Sequence, residues 1–255
     1  MLCDSPYCER CTTEERTPFA ELSSSGWAFF LQNRRFQSVP ARSILFQEGA
    51  PVTTAHMLCQ GLVKLSVRIH NGTSRIVRLL SAEQAPCSLL DIGSLGVHAA
   101  HSMTCETLAP CQIAHLDRQA LAWLQEREPK FASTLLNSMS LETRLLVQHV
   151  HEASTEPIDV RLARSLVRLA RHHGVPLEQG ISLALPLNRR EWAELVGTTR
   201  ETVSRLLSDL SRRRVLACQG KHIMIVAFDR LQKLAGDRGE RAVARSWRGH
   251  QHTRM

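Results

Sequence analysis

Three cysteines stand close together at the start of the chain, and cysteine thiolates are good metal ligands. Cys3, Cys8 and Cys11 have the spacing C-x4-C-x2-C within a short polar segment that has no core of its own in which to bury them. A tetrahedral zinc ion or an iron–sulfur cluster would need a fourth ligand. The candidates for it are Cys59, Cys87, Cys105, Cys111 and Cys218. A tail with incidental thiols is the alternative.

A second group of reactive side chains lies near residue 200. At about 100° per residue, one face of a helix there carries Arg200, Glu201, Ser204 and Arg205. Arginine can donate two hydrogen bonds to guanine, glutamate can accept one from cytosine, and serine can reach a base edge. With Thr199 beside them, these residues predict a helix that reads bases in the DNA major groove.

Residues 187–210 position this face as two helices joined by a tight turn at Gly197. Asn188 with Glu191, and Thr198 with Glu201, match the N-cap pattern of a helix start. Behind them, residues 215–226 predict a strand, a turn at Gly220 and a second strand. The pattern indicates a winged helix-turn-helix. The alternative is a helical hairpin whose charged face is only solvated.

The charge distribution favours DNA binding by the same half of the chain. The formal net charge is +8, and all of the excess lies from Glu152 onward, with 19 Lys and Arg against 11 Asp and Glu. A basic half beside a neutral half indicates a polyanionic partner. No basic amphipathic anchor precedes the helix pair, so a membrane surface is the weaker explanation.

Length and composition set the broad class. A chain of 255 residues with 43% apolar residues can form two domains with real cores. No apolar run approaches the roughly 18 residues of a membrane span, and the N-terminus lacks the hydrophobic region of a signal peptide. We therefore expect a cytoplasmic protein with no membrane partner, in which the eight cysteines serve as thiols or ligands rather than disulfides.

Residues 36–116 carry short alternating apolar runs separated by turn signals. Asn71-Gly72 is a strong hairpin signal between two such runs. The spacing predicts an antiparallel barrel or roll of about eight short strands. A roll of this size can hold a small ligand or fill itself with side chains.

Residues 130–151 predict one long helix without Gly or Pro. Apolar or small residues recur at 4-3-4-3-4 spacing, which is typical of a coiled-coil seam. The predicted homodimer interface consists of Ala132, Leu136, Met139, Thr143, Leu146 and Val150. The alternative is a helix buried on both sides within one chain.

The predicted fold class is α+β, with boundaries as follows. We expect an N-terminal cysteine-containing segment at 1–30, a roll at 31–127, a dimerisation helix at 128–153, a DNA-binding domain at 154–235 and a basic, disordered tail at 236–255.

This order of elements resembles the Crp/Fnr family of bacterial transcription regulators, over residues 36–235. Glu201-Thr202-Val203-Ser204-Arg205 is similar to the E-x-x-S-R motif of the Fnr branch, and Gly61 and Glu48-Gly49 fit the family's roll. The resemblance implies a cyclic-nucleotide-binding-like roll. It also implies a cytoplasmic homodimer that binds a palindrome like TTGAT-N4-ATCAA and acts with RNA polymerase.

Within that family, the oxygen-sensing Fnr proteins hold a [4Fe–4S] cluster with three N-terminal cysteines and one in the roll. The resemblance implies Cys3, Cys8, Cys11 and Cys111 as its ligands here, although C-x4-C-x2-C differs from the C-x2-C-x5-C of the best-known member. It also places Leu146 where some Fnr proteins have an Asp. The predicted protein is thus an oxygen or redox sensor.

Other signals are weighed against particular residues. Family members that bind cyclic nucleotides grip the phosphate with an Arg-Ser pair, whereas the matching pair here is His101-Ser102, without a guanidinium fork. Haem ligation by His70, His98 or His101, structural zinc and thiol oxidation are the rival sensor chemistries. An enzyme or a metal-storage protein built on the roll is the rival of another class, but no catalytic motif appears with its required context.

Overall fold

The computed structural model describes residues 17–69, 72–83, 85, 87–95 and 100–236. Cys3, Cys8, Cys11, His70 and His98 lie outside these ranges, as does all of the predicted tail except Gly236. The chain divides between His151 and Glu152 into two compact units. Among the described helices, none is long and apolar enough to cross a membrane.

The first unit is a roll of two four-stranded antiparallel sheets. One sheet has the order β1-β8-β3-β6 and the other β2-β7-β4-β5. The described strands are β1 (Arg35–Val39), β2 (Ile44–Phe46), β3 (Thr54–Gln60), β4 (Leu62–Arg68), β5 (Ser74–Ser81), β6 (Ser88–Leu90), β7 (Thr104–Thr107) and β8 (Cys111–Asp117). The predicted α+β class and antiparallel roll are confirmed.

Alternate residues of β3 and β8 build two separate cores. Leu58 and Ile113 face the inter-sheet cluster, which includes Phe46, Cys105 and Cys111. Met57 and Ala114, on the other face of their strands, belong to the helix-side cluster. This division follows from the period of two in a strand, which sends neighbouring side chains to opposite faces of the sheet.

Helices cover the outer face of one sheet through the helix-side cluster. Helix α1 (Ser24–Asn33) precedes the roll, and α2 (Arg118–Arg127) and α3 (Pro129–Thr155) follow it. Within this cluster Phe19 stacks on Phe30 with ring centres 4.5 Å apart, and the Phe131 ring lies tilted against Phe19 at 5.3 Å. The long helix predicted over 130–151 is present and extends further at its C-terminal end.

The second unit is a helix-turn-helix flanked by a small sheet. It contains α4 (Ile158–His173), α5 (Arg189–Val196), α6 (Arg200–Arg212) and α7 (Phe228–Leu234). Strands β11 (Leu216–Gln219) and β12 (His222–Ile225) form the predicted wing. Two further strands, β9 (Val175–Leu177) and β10 (Gly180–Leu183), extend it to the order β11-β12-β10-β9. Strands β9 and β10 were not predicted from the sequence.

Candidate DNA-binding surface and sensor domain

The turn between α5 and α6 is fixed by backbone conformation and capping. Gly197 adopts φ 76° and ψ 57°, a left-handed conformation that ends α5 at little steric cost. The predicted capping box of α5 is confirmed, because Asn188 Oδ1 accepts from the Glu191 amide at 3.0 Å and Glu191 Oε2 accepts from the Asn188 amide at 2.9 Å.

The predicted cap of α6 was wrong by one residue. Thr199, not Thr198, is the N-cap, and its hydroxyl accepts from the Thr202 amide at 3.2 Å. Thr198 instead donates its amide to the Ala193 carbonyl and so belongs to the end of α5. The error arose because two adjacent threonines both precede an acidic residue, and only the path of the turn selects between them.

Helix α6 buries one face and exposes the other, as its pattern predicts. Val203 and Leu207 are almost fully buried in the second unit, while Thr199, Arg200, Glu201 and Arg205 are exposed and Ser204 is half-buried. Within the described residues, Arg200, Glu201 and Arg205 make no ion pair. Their charged groups therefore remain available to an outside partner. The structure brings the five predicted DNA-contacting residues together on the N-terminal half of one helix.

Helix α3 carries an apolar face that its own chain leaves uncovered. Leu136, Val147 and Val150 are 64%, 64% and 66% exposed, which is unusual for aliphatic side chains at neighbouring positions of one helix. Val147 lies about 20° from Leu136 around the helix axis at about 100° per residue. The 4-3 spacing used for the prediction passed over Val147, since it chose Leu146 for the same turn.

The remaining predicted interface residues differ in their environment. Thr143 is exposed, Leu146 is 40% exposed and Ala132 is half-buried. Met139 packs against the helix-side cluster of its own unit. The exposed stripe is thus centred on Leu136, Thr143, Val147 and Val150, with Leu146 at its edge.

Cys111 is the described member of the predicted cluster-ligand set. It is 3% exposed and lies at the start of β8, where its Sγ is 3.2 Å from the Ala109 carbonyl oxygen and 3.6 Å from that of Leu62. Burial raises the pKa of its thiol. It also lines a surface depression of about 270 Å³ together with Ser38, Val39, Pro40, Gln60, Pro110 and Gln112.

Gly61 lets the backbone pack closely against Cys111. Its φ is +97°, and a Cβ there would lie 2.6 Å from Cys111 Sγ and would also collide with the Pro110 carbonyl oxygen. A side chain at this position is therefore excluded both by backbone conformation and by contact. The Cys111 thiol is thus a buried group at the edge of a surface depression.

The other described cysteines offer less to an iron–sulfur cluster. Cys105 is fully buried in the inter-sheet cluster, and burial raises the pKa of its thiol strongly. Cys59 and Cys87 belong to the helix-side cluster, and Cys218 lies on the wing of the second unit. Cys87 is engaged in a disulfide, so the expectation that the cysteines serve as thiols or ligands rather than disulfides was wrong for this residue. Within the described ranges, no three His, Cys, Asp or Glu side chains are arranged to hold a metal ion.

A buried carboxylate occupies the part of the roll that the resemblance matches to a phosphate grip. Asp91 is 1% exposed and has φ 53°. It accepts a hydrogen bond from the Ser102 hydroxyl at 2.6 Å and one from the Ser102 amide at 3.1 Å, and it lies 2.9 Å from His101 Nδ1. The groups of His101 and Ser102 that could bind a phosphate therefore already contact the carboxylate of Asp91.

Asp91 and the histidine pair His56 and His115 carry no signal in the sequence pattern and were not predicted. His101 stacks on Phe46 with ring centres 3.9 Å apart, and His56 lies 6.0 Å from His101. His115 meets His56 edge-on at 4.9 Å. The parity of β3 and β8 sends His56 and His115 to the inter-sheet side, but only the strand register shows that they are neighbours.

Two protein-family models match the chain in tandem. Residues 36–128 match the cyclic nucleotide-binding domain and residues 160–234 match the Crp-like helix-turn-helix domain. Together they account for about two thirds of the chain, in the order that the fold displays.

Curated relatives cover most of the chain at low identity. A CRP-like cAMP-activated global transcriptional regulator from Mycobacterium tuberculosis is 25% identical over 199 residues, covering 77% of this chain and 86% of the relative. A global nitrogen regulator from Synechococcus elongatus is 28% identical over 214 residues, covering 82% and 91%.

Solved structures share the fold. A CooA variant from Carboxydothermus hydrogenoformans has a TM-score of 0.68 at 20% identity, covering 92% of this chain and 98% of that one. The c-di-GMP-responsive regulator CLP from Xanthomonas campestris has a TM-score of 0.71 at 18% identity, covering 80% and 99%. At these identities the similarity concerns architecture alone.

Proposed function

We propose, from the premise that this chain belongs to the Crp/Fnr family of DNA-binding transcription regulators, that it is a homodimeric oxygen or redox sensor. In this proposal a [4Fe–4S] cluster held by Cys3, Cys8, Cys11 and Cys111 controls binding to a palindrome like TTGAT-N4-ATCAA. The dimer then acts on transcription together with RNA polymerase.

The observation that carries base reading is the exposed face of α6. Arg205 and Glu201 are four residues apart on a helix that is capped at Thr199 and anchored by buried Val203 and Leu207. A rigid helix with an arginine, a glutamate and a serine near its N-terminal half suits a major groove, where each can meet a base edge. The wing behind it completes the module.

Dimerisation is supported by the uncovered stripe on α3. Burying Leu136, Val147 and Val150 against the same residues of a second copy would remove apolar surface from water on both sides. A two-fold arrangement of this kind also presents two recognition helices to two half-sites, which explains a palindromic target.

The cluster proposal rests on the thiols. The N-terminal cysteines supply three ligands in sequence, and Cys111 supplies a fourth beside a surface depression that it lines. When bound, an iron–sulfur cluster supplies oxidant-sensitive chemistry, and thiolate coordination overrides the raised pKa of a buried thiol. The contribution of this chain is to hold Cys111 in place through the Gly61 turn.

Cyclic nucleotide is a weaker signal for this chain, even though the roll matches the cyclic nucleotide-binding domain. The carboxylate of Asp91 already takes the hydrogen bonds of Ser102 and lies against His101. A phosphate brought to the same donors would meet a like charge in a poorly solvated site and would have to displace it. His101 also lacks the fork of donors with which arginine binds a phosphate.

DNA binding measured with and without oxygen tests the proposal. Protein purified and assayed anaerobically should shift a duplex containing TTGAT-N4-ATCAA and resist competition by a scrambled duplex of equal length. Exposure to air should weaken this shift, because it removes the cluster. Equal affinity for both duplexes would refute sequence-specific reading. Equal affinity for the palindrome before and after air would instead refute oxygen sensing.

A further inference from the structure

Two histidines face each other across neighbouring strands inside the roll. His56 on β3 and His115 on β8 are register partners, and their ring centres are 4.9 Å apart with the rings nearly perpendicular. They belong neither to the DNA-binding face nor to the cysteine set. The proposed function therefore assigns no role to His56 or His115.

Each of these rings has a buried nitrogen without a hydrogen-bond partner. Among the described residues, neither His56 Nδ1 nor His115 Nε2 is bonded to any protein atom. Most buried polar atoms in proteins are satisfied, so two orphaned nitrogens on adjacent rings require an explanation. An edge-on ring contact alone does not satisfy either nitrogen.

Both rings are held in the form that binds metals. Burial and the nearby His115 and His101 lower the pKa of His56 to about 4. Burial also lowers the pKa of His115. Both rings are therefore neutral at pH 7, and neutral imidazole is the ligand form of histidine.

The spacing of the rings matches a shared ion. Two imidazoles bound to one tetrahedral zinc, at about 2.0–2.1 Å for each Zn–N bond, have ring centres about 5 Å apart. Asp91, in contact with His101, adds a negative charge one ring away from His56. A carboxylate at this position favours a cation in the site and disfavours an anion.

We propose that His56 and His115 bind one transition-metal ion of the Zn²⁺ type inside the roll, with water completing its coordination. Since the described residues offer no third ligand in position, the site would be open and its ion exchangeable. Open coordination is typical of ions that are sensed or used rather than of purely structural ones. The roll would then carry a metal-responsive site.

Equilibrium dialysis against Zn²⁺ tests this site in full-length protein carrying Cys3→Ser, Cys8→Ser and Cys11→Ser, so that the N-terminal thiols do not contribute. His56→Asn and His115→Asn should each lose one bound ion per chain, as a single shared site requires. The double variant should lose the same single ion and no more. His222→Asn, at an exposed position on the wing, should retain every ion.

Two results would overturn the proposal. In one, the single variants bind as much Zn²⁺ as the parent; in the other, the double variant loses two ions and the histidines bind separately. Far-UV circular dichroism, together with cooperative thermal unfolding in the presence of a chelator, identifies variants that are folded. If one Asn variant does not fold, the variant at the other histidine decides the outcome. Loss of iron–sulfur assembly has no bearing on this result, since the assay is carried out without the N-terminal thiols.

Discussion

Arg205 and Glu201 lie on the outer face of α6, one turn apart, with no ion pair to the described part of their own chain. In the free protein these two charged groups are therefore available to form hydrogen bonds or ion pairs with a binding partner. The types and spacing of these residues could be predicted from sequence, because a helix places residues four apart on one face. The identity of the cap at Thr199 could not, because it depends on the turn at Gly197.

Replacing Glu201 or Arg205 with Ala should cost about 1–3 kcal/mol of discrimination at one base pair of each half-site. Affinity for the other positions should change little, since the phosphate contacts remain. Binding of a set of single-base-pair variants of the palindrome measures this. Arg212→Ala, at the far end of the same helix where it pairs with Asp209, is the matched control. A uniform loss on all duplexes would assign the two residues to phosphate contacts.

The lowered pKa of His56 should make the free energy of unfolding depend on pH. Its pKa is about 4 in the folded protein and near 6.5 when unfolded, so between these values the unfolded state binds the additional proton. The free energy of unfolding should therefore fall as pH drops from about 6.5 toward 4, by of order 1 kcal/mol per pH unit. Above pH 6.5 this contribution is constant.

Urea unfolding at a series of pH values, with chelator present, checks this. His56→Gln should flatten the slope, and His222→Gln should leave it unchanged. A residual slope is expected from His173, whose pKa burial also lowers to about 4. A parent slope that survives in His56→Gln would show that the ring protonates without cost in the folded state.

At the scale of elements, the heptad pattern of α3 predicts that a long helix with an apolar stripe is present, but not every residue of that stripe. A heptad pattern predicted the long helix and an apolar stripe, since both are local properties. It placed Leu146 in the stripe and passed over Val147, because 3.5 and 3.6 residues per turn diverge over several turns. Strands β9 and β10 were missed for a different reason. They are three and four residues long; β9 pairs with β10, and β10 is held by pairing with a distant strand, β12.

Because the predicted seam has no acidic residue, we expect dimerisation to depend only partly on the cluster. No seam residue is acidic, so no like charges repel across the interface. Air-treated protein should retain appreciable dimer and some DNA binding. Leu146→Asp should make dimerisation depend strictly on the cluster. The control is Leu141→Asp, a 51% exposed position about 140° from Leu136 around the helix at about 100° per residue.

Analytical ultracentrifugation at micromolar concentration, before and after air, distinguishes these cases. Leu141→Asp should behave like the parent under both conditions, because it lies off the stripe. A parent protein that is a clean monomer in air, with no DNA shift, would contradict the expected residual dimer.

At the scale of the whole molecule, the chain joins a roll that matches the cyclic nucleotide-binding domain to a Crp-like helix-turn-helix domain. The order of the modules could be predicted from sequence, because turn spacing, heptads and caps each leave local signals. The side-chain contacts inside the roll could not be predicted from sequence. Asp91 is 10 and 11 residues away from His101 and Ser102 along the chain, and His56 is 59 residues from His115; only the closed roll brings either set together.

Iron and acid-labile sulfide analysis of anaerobically purified protein tests whether the chain holds a [4Fe–4S] cluster. We expect brown protein with about four iron and four sulfide per chain, as the cluster formula requires, that bleaches in air. Cys3→Ser, Cys8→Ser, Cys11→Ser and Cys111→Ser should each abolish the colour, while Cys59→Ser and Cys218→Ser should retain it. Colourless anaerobic protein with stoichiometric zinc, or Cys111→Ser protein with a full complement of iron and sulfide, would contradict it.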